Sequence, residues 1–491
     1  MGNCNIFNGR IFLKVGGSME NVNIIGGSFL GLLCGIKLLK SNYKVNIYEK
    51  RSYLGGGLNS FDGLELTNSQ LFNNFVVHKN EMELLDELVS LNLEKINIYK
   101  SLNFRCKTTI DIKVGYENLE RVFIKFTKTN NDKKIIKIIF EDISEISRIE
   151  NILENKNKCL FFSFNKYIYE KRLNVIISKY KKIRVEDIID TIDSVYIKEM
   201  IKSIANAKTA GIVFIDMLKI MCFYDIYKFD GGVHEVFNKL ETKFLELGGE
   251  IKLNTNISEI EIIDDKQLLR VKANEDFDLS KYVICTANNL YSLKSIVKDS
   301  VFDREFQRVL KDSELFDSYL IINIYLDKDI NFNNRINRYI LEKPFIDNTG
   351  AFHRKYEVIW DKSKSILTAY IRGNYYFWEQ LYENNNNQIR LNKFVLGEKL
   401  LEELKISIPE LNKTKPIKID VITPYDFMKE NDCIRGSSRG ILTTPKLYNR
   451  LIKINNDMSN CYFSRQEFKY GNYINSKLKE SIRIVDKILL K

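Results

Sequence analysis

The first legible pattern of apolar and polar positions runs from Asn21 to Ser60. Val22–Ile25 reads as a short apolar strand, suited to the middle of a parallel sheet. A glycine turn, Gly26–Gly31, leads into an apolar helix from Ser28 to Lys40, and Val45–Tyr48 is a second strand. Strand, turn, helix and strand make a βαβ unit. Asn80–Leu93 has the spacing of an amphipathic helix, and Thr108–Tyr116 and Val122–Lys128 read as strands. Helices rich in Ile, Lys and Asn follow, ending in the strongly apolar Ala205–Phe223, either a core helix or the wall of an apolar channel. Val233, Phe237, Leu240, Phe244 and Leu247 form a helical stripe opened by Gly231-Gly232 and stopped by Gly248-Gly249. Lys252–Ile263, Leu268–Ala273 and Lys281–Asn288 read as strands. Ser318–Leu326, Tyr356–Trp360, Ser365–Arg372 and Ile417–Ile422 suit an antiparallel sheet, and Cys461–Phe463 with Tyr473–Leu490 closes the chain as strand and helix.

The turn carries chemistry. Set against GxGxxG, Gly26 and Gly31 hold the first and third glycine places and Ser28 the second, with Gly27 between. The second place must let a pyrophosphate approach the backbone; serine is small enough, and its hydroxyl can donate to a phosphate. The helix that follows points its N-terminal N–H groups at that phosphate. Glu49 ends the second strand 23 residues after Gly26, where a carboxylate accepts both ribose hydroxyls of an adenosine. Lys50 and Arg51 lead to Gly55, Gly56 and Gly57, a second place of close backbone approach, for a pyrophosphate or an isoalloxazine edge, or simply a turn.

Composition narrows the classes. At 491 residues the chain exceeds one ordinary core, so two domains are expected. Hydrophobic content of 44% with 28% charged residues is that of a soluble globular protein. The net charge of +11 comes from lysines spread along the chain, which favours a solvated surface over a nucleic-acid site. Eight cysteines without CxxC spacing and only three histidines argue against a disulfide framework and a metal centre, and favour a reducing compartment. Residues 1–18 read as a disordered leader, without a secretory signal; Ile6 stands where a myristoylation signal wants Ser or Thr.

Gly26–Gly31, Glu49-Lys50-Arg51 and Gly55-Gly56 resemble the FAD-binding start of the superfamily that holds phytoene desaturases and amine oxidases. Asn80–Leu93, Asp230–Ile260, Lys281–Asn288 and Val421–Gly440 resemble later segments of that superfamily, in order and over nearly the whole chain. The resemblance implies an α/β fold: a Rossmann-type FAD-binding domain, a parallel sheet with a β-ribbon, interleaved with an α+β substrate domain containing an antiparallel sheet. It places residues 19–104, 226–300 and 455–491 in the first, and 105–225 with 301–454 in the second. It implies FAD as cofactor, with Ile257 near the adenine and Arg465, Gln466, Tyr473 and Ile474 at the flavin end. Two departures lie at that end: Gly57 stands where Arg is frequent, and Ser464–Glu467 where Gly-Asp is expected.

The implied activity is an FAD-dependent oxidoreductase that desaturates or oxidises a C–C or C–N bond of an organic, apolar small-molecule substrate. Two alternatives stay open: a flavin-dependent mutase or isomerase, suggested by Arg465–Ile474, and a non-catalytic FAD-binding partner protein. No catalytic residue is assigned. His234, Tyr470, Tyr473, Arg435 and Arg439 are candidates for substrate or flavin contact, each with an ordinary surface or packing alternative. No nucleic-acid partner and no metal are expected. The expected location is cytoplasmic, with peripheral membrane contact left open.

Overall fold

The computed structural model describes residues 4–7, 10–13, 20–55, 93–96, 99–104, 108–154, 162–224, 226–229, 232–263, 268–286, 308, 311–332, 336–362, 364–384, 387–431, 434–437, 441–453, 460–464 and 474–490. The organising sheet has five strands, all parallel: β1 (Asn21–Ile25), β2 (Lys44–Tyr48), β3 (Glu250–Lys252), β4 (Tyr282–Cys285) and β5 (Cys461–Phe463), in the order β5-β4-β1-β2-β3. Helix α1 (Phe29–Lys40) crosses from β1 to β2. It is buried along most of its length because α2 (Gly232–Glu246) and α3 (Ile474–Leu489) pack against it. Of the stripe predicted for α2, Phe237, Leu240 and Phe244 share one core with Leu30, Leu33 and Ile36, and Leu247 packs against it; Val236, outside the predicted stripe, joins them, and the side chain of Val233 lies outside the described residues. A Cβ on Gly35 would stand 2.5 Å from the Phe244 ring, so only glycine lets the two helices approach here.

The other face of the parallel sheet is covered by a three-stranded antiparallel meander, Ile257–Ile262, Leu269–Ala273 and Asp276–Ser280. Ile257, Ile260 and Val271 pack there with Ile25, Tyr48 and Cys285, together with Ile441 and Leu447. The single strand expected over Lys252–Ile263 is therefore two, in different sheets. The break falls at Asn254, whose positive φ of 52° turns the chain out of the extended conformation.

A second sheet has seven strands in the order Pro416–Ile422, Tyr319–Leu326, Ile366–Arg372, Phe352–Asp361, Ile336–Ile346, Tyr99–Phe104 and Thr108–Lys113. Its pairs are antiparallel except that between Ile336–Ile346 and Tyr99–Phe104. Tyr99–Phe104, which lies before the boundary expected at 104, thus pairs on both sides with strands that come after that boundary. Leu93–Ile96 pairs with Ile226–Phe229 in a separate ribbon. One face of the large sheet is packed by the helix Ile389–Ser407, with Leu396, Leu400 and Leu404 against Ile322, Val358 and Leu367.

A helical layer, from Tyr116–Lys125 through Gly211–Phe223, has its own core around Phe123, Phe140, Met200 and Phe214. Tyr116–Lys125 replaces most of the strand expected over Val122–Lys128. Leu119 and Phe123, four apart, are both fully buried, which is helical and not strand periodicity. Gly211–Phe223 is a core helix, with Phe214, Ile215 and Leu218 sealed in that cluster. Cys4–Phe7 and Arg10–Leu13 pair as a hairpin in the stretch expected to be disordered.

Candidate functional site

The site is built where β1, β2 and β4 end. The Gly26 N–H donates to the Tyr48 carbonyl (2.8 Å), and Gly26 takes a φ of 100°, which reverses the chain tightly enough to start α1 three residues later. A Cβ on Gly31 would lie 2.5 Å from the Gly26 carbonyl oxygen, so the third glycine is required by the turn's own backbone. Ser28 is the N-cap of α1, its hydroxyl accepting from the Gly31 N–H at 3.3 Å. The N–H groups of Ser28, Phe29 and Leu30 make no hydrogen bond among the described residues. They are the orphan donors of a helix start, the arrangement that receives phosphate oxygens.

Glu49 clasps this turn. One carboxylate oxygen accepts the Gly27 N–H at 2.8 Å and the other the Arg51 N–H at 3.0 Å. Each oxygen keeps a further lone pair, so the group can take two more donors. The Glu49 carbonyl accepts the Thr255 N–H and the Arg51 carbonyl the Asn254 N–H, both at 2.9 Å, which ties the start of the meander, and Ile257 with it, to the same corner. Ile257 itself is buried against Ile25 and Tyr48. The Gly55 N–H donates to the Gly27 carbonyl at 2.9 Å, so the second glycine cluster begins directly against the first. Lys50 is exposed, and Arg51 is half-buried with its guanidinium over the Tyr53 ring.

One member of the site was missed by sequence reasoning. Thr286, the residue after β4, is buried with its hydroxyl 3.0 Å from the Ser28 hydroxyl, 2.8 Å from the Gly26 carbonyl and 3.1 Å from the Ile25 carbonyl. It accepts from Ser28 and donates to the turn, locking the serine that stands in the second glycine place. Its signal in the sequence is only that it lies near the end of the strand read over Lys281–Asn288.

The sequence brings Gly26, Gly27, Ser28, Gly31, Glu49, Arg51 and Gly55 together as expected. Gly56, Gly57, Arg465, Gln466 and Tyr473 lie outside the described residues, as does the side chain of Ile474, whose backbone opens α3. The side chain of His234 and all of Arg439 and Tyr470 also lie outside them. Arg435 takes a positive φ of 49°, stacks its guanidinium over Tyr376, and offers its carbonyl to the Ser318 hydroxyl. His353 is fully buried against the Asp347 carboxylate at 2.8 Å and faces no opening, so it braces a hairpin. Beneath α1, Glu480 and Arg483 of α3 pair at 2.7 Å beside Cys34, whose thiol burial pushes up to about 12, leaving it unreactive. Among the described residues no His, Cys, Asp and Glu cluster could hold a metal ion, and no helix is long and apolar enough to cross a membrane.

Comparison with known proteins agrees with this geometry. Residues 24–86 match the family model of the NAD(P)-binding Rossmann-like domain. A 4,4'-diaponeurosporene oxygenase of Staphylococcus aureus is 22% identical over 459 residues, covering 87% of this chain and 89% of that protein. A β subunit of DNA-directed RNA polymerase from Eimeria tenella is 28% identical over 229 residues, but the match covers 43% of this chain and spans only 20% of the subunit. Among solved structures, putrescine oxidase superposes with a TM-score of 0.62 at 13% identity, covering 96% of this chain and 99% of that one. An oxidoreductase from Methanosarcina mazei superposes with a TM-score of 0.55 at 13% identity, over 95% and 100% of the two chains. The likeness extends through both sheets and is not confined to the dinucleotide turn.

Proposed function

We propose that this chain, whose fold is that of the FAD-dependent desaturase and amine oxidase superfamily, is an FAD-dependent oxidoreductase acting on a C–C or C–N bond of an organic, largely apolar small molecule. The observation that carries the reading is the Glu49-clasped turn beneath three helix N–H groups that make no hydrogen bond among the described residues. A buried carboxylate with spare lone pairs, beside the backbone donors of a helix start, suits a ribose diol and a pyrophosphate side by side.

In this reading Gly26, Gly27 and Gly31 shape the turn, Ser28, Phe29 and Leu30 offer N–H groups to the pyrophosphate, and Glu49 accepts the adenosine ribose hydroxyls. Arg51 and Gly55 continue along the cofactor toward Gly56 and Gly57, and Ile257 packs near the adenine. FAD, when bound, supplies a two-electron acceptor for hydride. The protein's part is to hold it, to orient the substrate and to keep water out. The residues before the second sheet's strand Tyr319–Leu326 reach the first domain, since Leu315 packs against the Ile25 and Tyr48 cluster and bridges to Ile441. In this reading the second sheet is the floor of a substrate chamber facing the cofactor.

The test is the visible spectrum of the purified full chain under anaerobic conditions. A flavin spectrum that bleaches on adding an apolar polyene or amine substrate is the expected result. Flavin turnover only after prior reduction, without net oxidation, would favour the mutase alternative. A colourless protein that takes up no FAD would sink the oxidoreductase reading.

A further inference from the structure

We propose that the buried pair Asn23 and Asn46 is a register pin: its amides hold β1 against β2 in the one alignment that brings Glu49 to the glycine turn. Both are positioning residues for the cofactor site. The inference rests on the FAD reading only for what Glu49 then binds; the pin stands on the geometry of the two strands.

The two strands carry the same three residues, Val22-Asn23-Ile24 and Val45-Asn46-Ile47, and these lie side by side in register. Val22, Ile24, Val45 and Ile47 enter the core shared with α1 and α2, so Asn23 and Asn46 point to the meander face. Ile25, Tyr48, Val283 and Cys285 share that face, under Ile257, Ile260 and Val271. Asn23 is fully buried and Asn46 nearly so, and Asn46 Nδ2 donates to Asn23 Oδ1 at 3.2 Å. Asn23 Nδ2 and Asn46 Oδ1 make no hydrogen bond among the described residues, so the mutual contact is what offsets the burial of two amides.

Apolar burial alone does not choose this alignment, because it is non-directional and both faces of these strands are covered. The amides do choose. A slip of one residue turns one strand over and sends its Asn into the core of Leu30, Leu33 and Ile36. A slip of two keeps the face but sets Asn46 against Ile25 in one direction, or Asn23 against Tyr48 in the other. Either leaves a buried amide without its partner, which shifts the balance between registers by about tenfold or more. The native alignment is also the one the site needs. It pairs Ile25 with Tyr48, so the Gly26 N–H meets the Tyr48 carbonyl and Glu49 accepts the Gly27 N–H at 2.8 Å. A slip of two would carry Glu49 about 7 Å along the sheet, out of reach of the turn.

The test compares Asn46→Val, Asn46→Thr and the double variant Asn23→Val with Asn46→Val against the native full chain. The readouts are FAD titration, thermal unfolding and the amide spectrum of glycine-labelled, flavin-stripped protein. Asn46→Val should lower the unfolding midpoint. The double variant, with both amides gone, should recover most of that loss. Its FAD sites per chain should nevertheless fall by about twofold or more, with a second set of glycine signals, because nothing now separates the registers. Asn46→Thr has the shape of valine but keeps a donor, so it should retain one set of signals and native FAD occupancy. A merely structural pair would instead let FAD binding recover with stability. A double variant with native FAD stoichiometry and a single set of glycine signals overturns the proposal. So does Asn46→Thr matching Asn46→Val in every readout, which decides the matter if the double variant does not fold. Doubled glycine signals in a chain whose native form takes up no FAD would leave the pin standing and remove the cofactor reading. A single set with full FAD occupancy would do the reverse.

Discussion

At the scale of single residues, the turn depends on contacts that tolerate little change. Thr286→Val would leave the Ser28 hydroxyl without its acceptor and the Gly26 carbonyl without its donor. The expected cost is about 1–3 kcal/mol of stability, with weaker FAD retention, read by thermal unfolding and flavin release. Gly31→Ala sets a Cβ against the Gly26 carbonyl, a backbone atom that cannot swing aside, so loss of FAD retention is expected in a protein that still folds its second sheet. Full flavin occupancy in Gly31→Ala would contradict the role given to the turn. Gly26, Ser28, Gly31 and Glu49 were legible because their spacing along one βαβ unit is itself the signal. Thr286 was not, since it reaches Ser28 across 258 residues, and only when β4 joins β1.

At the scale of elements, the sequence located β1, β2 and β5 to within a residue, along with α1, α2 and α3, overran the end of β4 by three residues and did not separate β3 from the strand after it. It failed where two periodicities compete. Val122–Lys128 alternates well enough to pass for a strand, but the stripe of Leu119 and Phe123 buries a helix face against Phe140. Lys252–Ile263 alternates through a turn that only the positive φ of Asn254 reveals. Helix α2 invites the clearest element-level test. Phe244 fills the space left by both Gly35 and Gly249, whose added Cβ atoms would fall 2.5 and 2.3 Å from its ring. Phe244→Ala should open a void at the α1–α2 contact and cost about 3–5 kcal/mol in urea unfolding, with the slope unchanged. A loss under about 1 kcal/mol would mean the helices close the gap themselves.

At the scale of the whole molecule, two layered cores are threaded by one chain that crosses between them several times, and this interleaving is what the sequence conveyed least directly. Tyr99–Phe104 finds its partner at Ile336–Ile346, a pairing no local pattern announces. The resemblance supplied the order of segments; the seven-strand order came only from the fold.

The second sheet also sets an acid limit. Burial opposes ionisation of Asp347, but His353, Thr349 and the Ala351 N–H outweigh it and hold the carboxyl below its usual range. Desolvation likewise opposes ionisation of the half-buried Asp426, but Lys393, with Tyr382 and the Thr423 N–H, outweighs it and lowers that carboxyl too. A depressed folded-state value means stability that is present above the unfolded value, about 4, and lost as pH falls through the folded one. Far-UV ellipticity followed below pH 4 should show that loss, and Asp347→Asn should be less stable at neutral pH with a flatter acid limb. An unchanged limb would remove Asp347 from the account.

The claim that this chain is built around FAD is tested most directly by extracting and quantifying the flavin bound to the purified protein, beside Glu49→Ala. The account predicts near-stoichiometric FAD in the native protein. In Glu49→Ala, retention should fall at least about tenfold, the worth of a charged acceptor's hydrogen bonds. Native protein that neither carries nor takes up FAD, or Glu49→Ala that holds it undiminished, would contradict it.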